Sequence, residues 1–268
     1  MARYFKLDKI IKQGTVYTTK KRMGYVIRKI GTNSSGSGYI QIDNKALGYI
    51  DSEIAPIHKL TSNLLGPLDL EEFFYVVPPE TKLEWKGDSG SKLRIVGDMV
   101  FLDPGEGFPA ELLTRFAEQK RKYLTTYEGS FSLGTDVAWP DDTEYEILSL
   151  TPLTIEKLTL KYVVMLSITG GTVSEGDFGV IFKLNGVSLE EWLAENAPAG
   201  IDALSMPYPP KEDTEMLTFT LKDFPIEVLG DNTFSIFVKN VSGADKSPSS
   251  GSAWSVEAKL VALYEKAE

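Results

Sequence analysis

The sequence predicts a mainly β protein: an N-terminal β domain, a connecting helix and a C-terminal β-sandwich of jelly-roll type. Three observations carry this. Apolar and polar residues alternate with a period of two, most cleanly at Leu158, Leu160, Tyr162, Val164, Leu166 and Ile168, which is the pattern of strands with one buried face. Glycine, proline, asparagine and aspartate separate the runs, as at Asn185-Gly186, a strong hairpin signal. Long helical spacing is confined to PAELLTRFAEQKRKYL, residues 109–124. These observations divide the chain into a domain over 1–108, a helix over 109–124 and a domain over 125–268.

In the first domain, RYFKLDKII, GTVYTTKKR and GYVIRKI read as short strands rich in β-branched and aromatic residues. GTNSSGSG at 31–38 is expected to be a flexible connector, and YIQIDNKALGYI two strands around an Asn-Lys turn. Pro78 and Pro79 interrupt the next run and demand an edge or a bend. The helix begins at Pro109, which suits a first turn, and Leu113, Phe116, Tyr123 and Leu124 share a face. Glu111–Arg115 and Glu118–Lys122 have favourable i,i+4 spacing. Beyond it, Phe178 to Leu184, Leu217 to Leu221, Phe234 to Val238 and Trp254 to Tyr264 each alternate. A capping box at Ser188 and Glu191 opens one short helix, SLEEWLAEN. About eight strands with one helical excursion suit two packed sheets.

Gly87-Asp88-Ser89-Gly90 raises a chemical question, because trypsin-like serine proteases flank their nucleophile this way. The single histidine, His58, also precedes Ser89. Such a site needs a base, an orienting carboxylate and an oxyanion hole. Only 31 positions separate His58 from Ser89, and Ser91 stands where that family has another glycine. Leu83 and Trp85, then Leu93 and Ile95, alternate on either side. The segment therefore reads as a hairpin turn, and no catalytic residue is assigned.

Composition narrows the chemistry further. The 268 residues hold no cysteine, one histidine and three glutamines. Disulfides, thiolate metal sites and cysteine nucleophiles are excluded, and the depletion fits a hot environment. Asp136, Asp141 and Asp142 offer hard oxygen ligands, yet their spacing matches no calcium loop. Neither they nor the acidic pairs Glu190-Glu191 and Glu212-Asp213 support a metal or catalytic assignment. No cofactor is expected. No stretch reaches the roughly 20 apolar residues of a membrane span, and MARYFKLDKIIKQG lacks a signal-peptide pattern. Synthesis in a cytoplasm is expected.

Charge is uneven within the net −10: residues 1–30 carry +8, 31–125 carry −4 and 126–268 carry −14. The basic segment, with Lys20, Lys21, Arg22, Arg28 and Lys29 as its candidate contact residues, reads either as a docking arm or as a solvated edge strand. Nucleic acid is not the expected partner, since bases do not run along a whole helix face. Trp139, Tyr145 and Tyr208 lie in or near loops and are candidates for stacking on sugar rings. The proline-rich stretch at 196–215 is the candidate contact loop.

The closing run, LTFTLKDFPIEVLGDNTFSIFVKNVSG followed by SAWSVEAKLVALYEK, is similar to the last strands of jelly-roll sandwiches in viral structural proteins and carbohydrate-binding modules. FFYVVPPETKLEWKG resembles β-rich phage and archaeal-virus particle proteins. The resemblance implies a non-catalytic component of a virus particle, capsid-associated or at a vertex or tail, located in the virion. Its partners would be copies of itself and other particle proteins. The alternative is a carbohydrate-binding or attachment module whose ligand is a host surface glycan.

Overall fold

The computed structural model describes residues 2–58, 66–160, 163–174, 177–189, 217–220 and 225–267. Strand makes up 53% of them, with a single α-helix among the described residues. Two compact units divide the chain, Met1–Thr126 with Leu263–Glu265 and Tyr127–Ala262 with Lys266–Glu268.

The first unit contains β1 (Arg3–Lys12), β2 (Tyr17–Thr18), β3 (Met23–Thr32), β4 (Gly38–Ile42), β5 (Lys45–Ile50), β6 (Leu68–Asp69), β7 (Tyr75–Val77), β8 (Lys82–Lys86) and β9 (Lys92–Phe101). One sheet runs β1-β9-β3-β6, with β7 also on β3, and the other runs β2-β8-β4-β5. Taking β6 and β7 as one position, eight positions divide between two sheets in the orders 1-8-3-6 and 2-7-4-5. That is a jelly roll.

The second unit follows α1 (Ala110–Glu118) with β10 (Lys122–Ser132), β11 (Glu144–Leu150), β12 (Glu156–Leu160), β13 (Val163–Thr169), β14 (Phe178–Leu184), β15 (Val187–Ser188), β16 (Leu217–Thr220), β17 (Ile226–Leu229), β18 (Phe234–Asn240) and β19 (Ser255–Lys266). Its second sheet runs β11-β18-β14-β15. In its first sheet β19 pairs with β10 and with both β12 and β13, which in turn pair with β17 and β16. With β12–β13 and β16–β17 each as one position, the orders are again 1-8-3-6 and 2-7-4-5. One chain builds the same eight-position topology twice.

Several expectations change at residue level. The Asn185-Gly186 hairpin forms between β14 and β15, both residues at positive φ. The β4–β5 turn is Asp43-Asn44, one residue earlier than expected, and both residues again have positive φ. β8 and β9 are not a hairpin, because they belong to different sheets. Gly87 to Ser91 instead carries the chain from one sheet to the other, closed by Ser91 N–H donating to the Asp88 carbonyl at 2.9 Å. The 31–38 segment is not a flexible connector: Gly31 and Thr32 end β3, and Thr32 and Ser34 are fully buried. Asp88 fastens it, accepting from Gly36 N–H at 2.8 Å and Ser35 Oγ at 3.0 Å, while its own N–H donates to Ser34 Oγ. The bond from Gly36 and those from the serines hold its carboxyl below the usual value.

The helix is shorter than 109–124, ending at Glu118, and Tyr123 and Leu124 begin β10. Leu112, rather than Leu113, faces inward, joining Val26, Val76, Val100 and Leu102 on the outer face of the first sheet. Neither expected i,i+4 pair forms as spaced: Arg115 pairs with Glu118, and Lys122 with Glu265. Arg115 also lies 4.1 Å over the Phe73 ring, so its charge is partly satisfied by an aromatic face. Gln119, directly after the helix, ties it to β7. Its buried amide accepts from Val76 N–H at 2.8 Å and donates to Val76 C=O at 2.9 Å, completing the hydrogen bonding of β7 as a neighbouring strand would. The short helix at 188–196 and the loop at 196–215 lie outside the described residues from 190 onward.

Two predictions follow from these contacts. Gln119→Ala leaves the buried N–H and C=O of Val76 without partners and should lower stability by about 2–4 kcal/mol, measured by calorimetry. On β1, Asp8 accepts two bonds from the Arg94 guanidinium, at 2.9 and 2.8 Å. Those bonds hold its carboxyl below the ordinary 3.8. A depressed carboxylate stabilises the fold above its unfolded value, and the contribution is lost as pH falls through its folded value. NMR titration should find Asp8 titrating below 3.8, and returning toward that value in Arg94→Gln.

Candidate interaction surface

The basic segment is not an arm, since β1 and β3 are long strands of the first sheet. Its charges separate into two groups. β3 bulges between Ile27 and Lys29, which turns the consecutive side chains of Arg28 and Lys29 both to solvent. Opposite the bulge sits Gly97, where a Cβ would lie 2.0 Å from the Val26 carbonyl oxygen, so only glycine fits. Arg28 is committed to Asp98 at 2.8 Å and Lys29 to Asp69 at 2.6 Å. Lys20, Lys21 and Arg22 lie on the exposed turn before β3 and make no ion pair among the described residues. Lys6 and Lys12 on β1 likewise make no ion pair among the described residues.

Arg22 also lines a pocket of about 430 Å³ at the end of the sandwich where β1 begins and β9 finishes. Its floor is Phe5, Met99 and Phe101, and Arg3 and Asp103 form its rim. The two phenylalanine rings meet edge to face with centroids 5.5 Å apart. Phe5 is 50% and Phe101 38% exposed, unusual for aromatics facing the inner side of a sandwich. β1 is an edge strand: all ten of its residues pair with β9, and its other edge has no strand beside it among the described residues. Sequence reasoning missed this pocket, because Phe5 and Phe101 are 96 positions apart and meet only through the β1–β9 register.

The sugar-stacking residues have a different fate. Trp139 is fully buried, with its ring 4.9 Å from Phe178 and 6.4 Å from Trp254, and its indole N–H donates to the Thr143 carbonyl. No face of it remains for a ligand, so the expectation of an exposed loop aromatic is corrected. Tyr145 belongs to β11 and is half-buried, with one face stacked 4.3 Å from Phe131. Tyr208 lies outside the described residues. Around Trp139 the loop acids bind chain rather than gathering: Asp136 accepts from Gly251 N–H, Asp141 accepts from Gly243 N–H, and Asp142 pairs with Lys239. No group of three or more candidate metal ligands occurs among the described residues. Ser89 is exposed on its turn, and His58 faces Arg94 at 3.4 Å.

No family model and no curated protein matches the chain. Its structural neighbours include the major capsid protein P2 of bacteriophage PM2, at 10% identity and TM-score 0.37 over 97% of both chains. The PBCV-1 virus capsid aligns at 11% identity and TM-score 0.34, over 99% of this chain and 95% of that one. The MCP of STIV aligns at 9% and 0.33, over 98% and 96%. These resemblances are weak.

Because Trp139 is a core residue, Trp139→Ala should cost about 3–5 kcal/mol of stability, as large-to-small changes in packed aromatic cores do. Calorimetry on the purified variant checks this; an unchanged transition would mean that the ring is free.

Proposed function

We propose that this chain is a structural, non-catalytic component of a virus particle, capsid-associated or at a vertex or tail. It is made in a host cytoplasm and built into the virion through the edges and loops of two β domains joined near residues 109–124. The supporting observation is the repetition of one strand order in both compact units. Jelly rolls serve as shell and lectin modules, and a chain that spends both units on that frame supplies two rigid building blocks with open edges. The lectin reading needs aromatic faces at the loops. Of the described candidates, Trp139 is consumed by the core and one face of Tyr145 by Phe131, which supports the particle reading over a host-glycan ligand.

Copies of the chain associate head to tail, the −14 region of one beside the free cations Lys20, Lys21 and Arg22 of the next. Contacts of this kind close into rings when the rotation allows. Surface ion pairs contribute about 0–1 kcal/mol each and weaken with salt, so apolar contacts drive the association and the charges tune it.

Light scattering across a salt series, with negative-stain microscopy, should show assemblies of defined symmetry that loosen as salt rises. Deleting residues 1–30 would remove β1 and most of β3, so the informative variant is Lys20→Gln with Lys21→Gln and Arg22→Gln. A strict monomer at high concentration, indifferent to those substitutions, would overturn the reading.

A further inference from the structure

We infer that the free edge of β1, with the pocket at its beginning, is a docking groove for an extended acidic segment of another polypeptide, added as a strand and anchored by one aromatic side chain. The edge supplies the first part. A ten-residue strand paired on one side only leaves alternate backbone N–H and C=O groups facing outward, which is the template used in strand addition. β1 has neither proline nor bulge to spoil that template, and its register with β9 is unbroken.

The two faces of β1 set the chemistry of the occupant. Leu7 and Ile11 point into the sandwich, so Phe5, two residues before Leu7, lies on the same face and opens into the pocket. An incoming strand therefore places one side chain of that face over Phe5, Met99 and Phe101. A pocket of about 430 Å³ walled by two aromatic rings and a thioether accepts an aromatic ring. On the opposite face β1 presents exposed Tyr4 and Ile10 together with Lys6 and Lys12, which make no ion pair among the described residues, and Asp8, already neutralised by Arg94. Arg22 stands free at the pocket rim, whereas Arg3 is held by Asp103 at 2.7 Å. The unspent charge along the groove is thus cationic, and its complement carries carboxylates on one face and apolar side chains on the other.

Among the described residues the exposed aromatics are Phe5 and Phe101 in the pocket and Tyr4 on the opposite face of β1. The unpaired cations beside the pocket select an acidic occupant. The inference takes only its setting, a particle protein meeting a partner protein, from the proposed function. The binding itself is tested on the chain in solution.

The probe is a capped, fluorescein-labelled octapeptide alternating glutamate with one phenylalanine and three valines, followed by fluorescence anisotropy. Saturable binding is expected. Replacing its phenylalanine by alanine should weaken it about tenfold or more, and Arg22→Gln in the protein by about threefold to tenfold, with a flatter salt dependence. Backbone N-methylation separates strand addition from simple charge attraction. Methylating the alternate amides that face β1 should abolish binding, while methylating the other set leaves it within about twofold. Phe5→Ala, at an exposed site that the core does not need, should match the phenylalanine-free peptide while keeping the wild-type melting curve. No saturation at millimolar peptide, or equal loss from both methylated sets, would overturn the inference. So would self-assembly that the peptide dissolves, since that assigns the edge to a second copy. Binding by a chain that stays monomeric would sustain it while the particle reading fails.

Discussion

The interaction on which both units depend is the insertion of the last strand between the first and the third. β9 lies between β1 and β3 and pairs with each over nearly its whole length, and β19 occupies the same place between β10 and β12–β13. Until that strand arrives, the first and third positions of each unit have no partner between them. The closing contact is also non-local: Arg3 is opposite Phe101, and Val164 is opposite Leu260. Closure of such long loops costs entropy before any packing rewards it. It also makes the basic first segment structural. Its charges decorate strands whose inner faces hold the core, and β1 and β3 cannot be spared for a detachable arm.

Once closed, each sandwich is tied at the end where the connections between positions 1–2, 3–4 and 7–8 meet. In the first unit Asp88 gathers Ser35 and Gly36, and the Trp85 indole donates to buried Ser91. In the second, Lys246 reaches Asp177 at 2.7 Å, Ser249 N–H donates to the Gly170 carbonyl, and the Trp254 indole donates to the Lys246 carbonyl. Different residues do the same work in the two units: a carboxylate crosses between loops and a tryptophan closes the floor. The GDSG stretch belongs to this device. Its aspartate is the functional atom group and its serine is the exposed turn residue, the reverse of what a nucleophile motif would require.

Much of this frame was legible in the sequence, because period-two alternation reports which face of a strand is buried. The second unit was readable as a jelly roll from its long runs. The first was readable only as β-rich, since β2, β6 and β7 are two or three residues long and show no period. The duplicated topology therefore emerges only from pairing, which no local pattern encodes. The error over β8 and β9 has the same origin: two alternating runs around a tight turn look alike whether they pair with each other or pass into facing sheets. The helix was overextended because Tyr123 and Leu124 continue its apolar spacing. Gln119, which follows it, shows its role only when the free backbone of Val76 is in view.

The same logic explains why the interaction surface falls at one corner of the first unit. Loop ties and the tryptophan floor seal one end of the sandwich. At the opposite end β1 begins and β9 finishes, and Phe5 and Phe101, which alternation assigns to the inner face, emerge with much of their area in water. Buried, each would gain about 1.5–3 kcal/mol from transfer out of water. Leaving both exposed, beside an arginine that makes no ion pair among the described residues and next to an open strand edge, forgoes that gain at a single place. Lysines along the strand keep the edge from pairing indiscriminately, because a second edge of like charge is repelled while an acidic one is not. Selectivity at this corner thus arises from the same positive charges that, read in sequence alone, suggested either a docking arm or a solvated edge strand; β1 is such an edge strand.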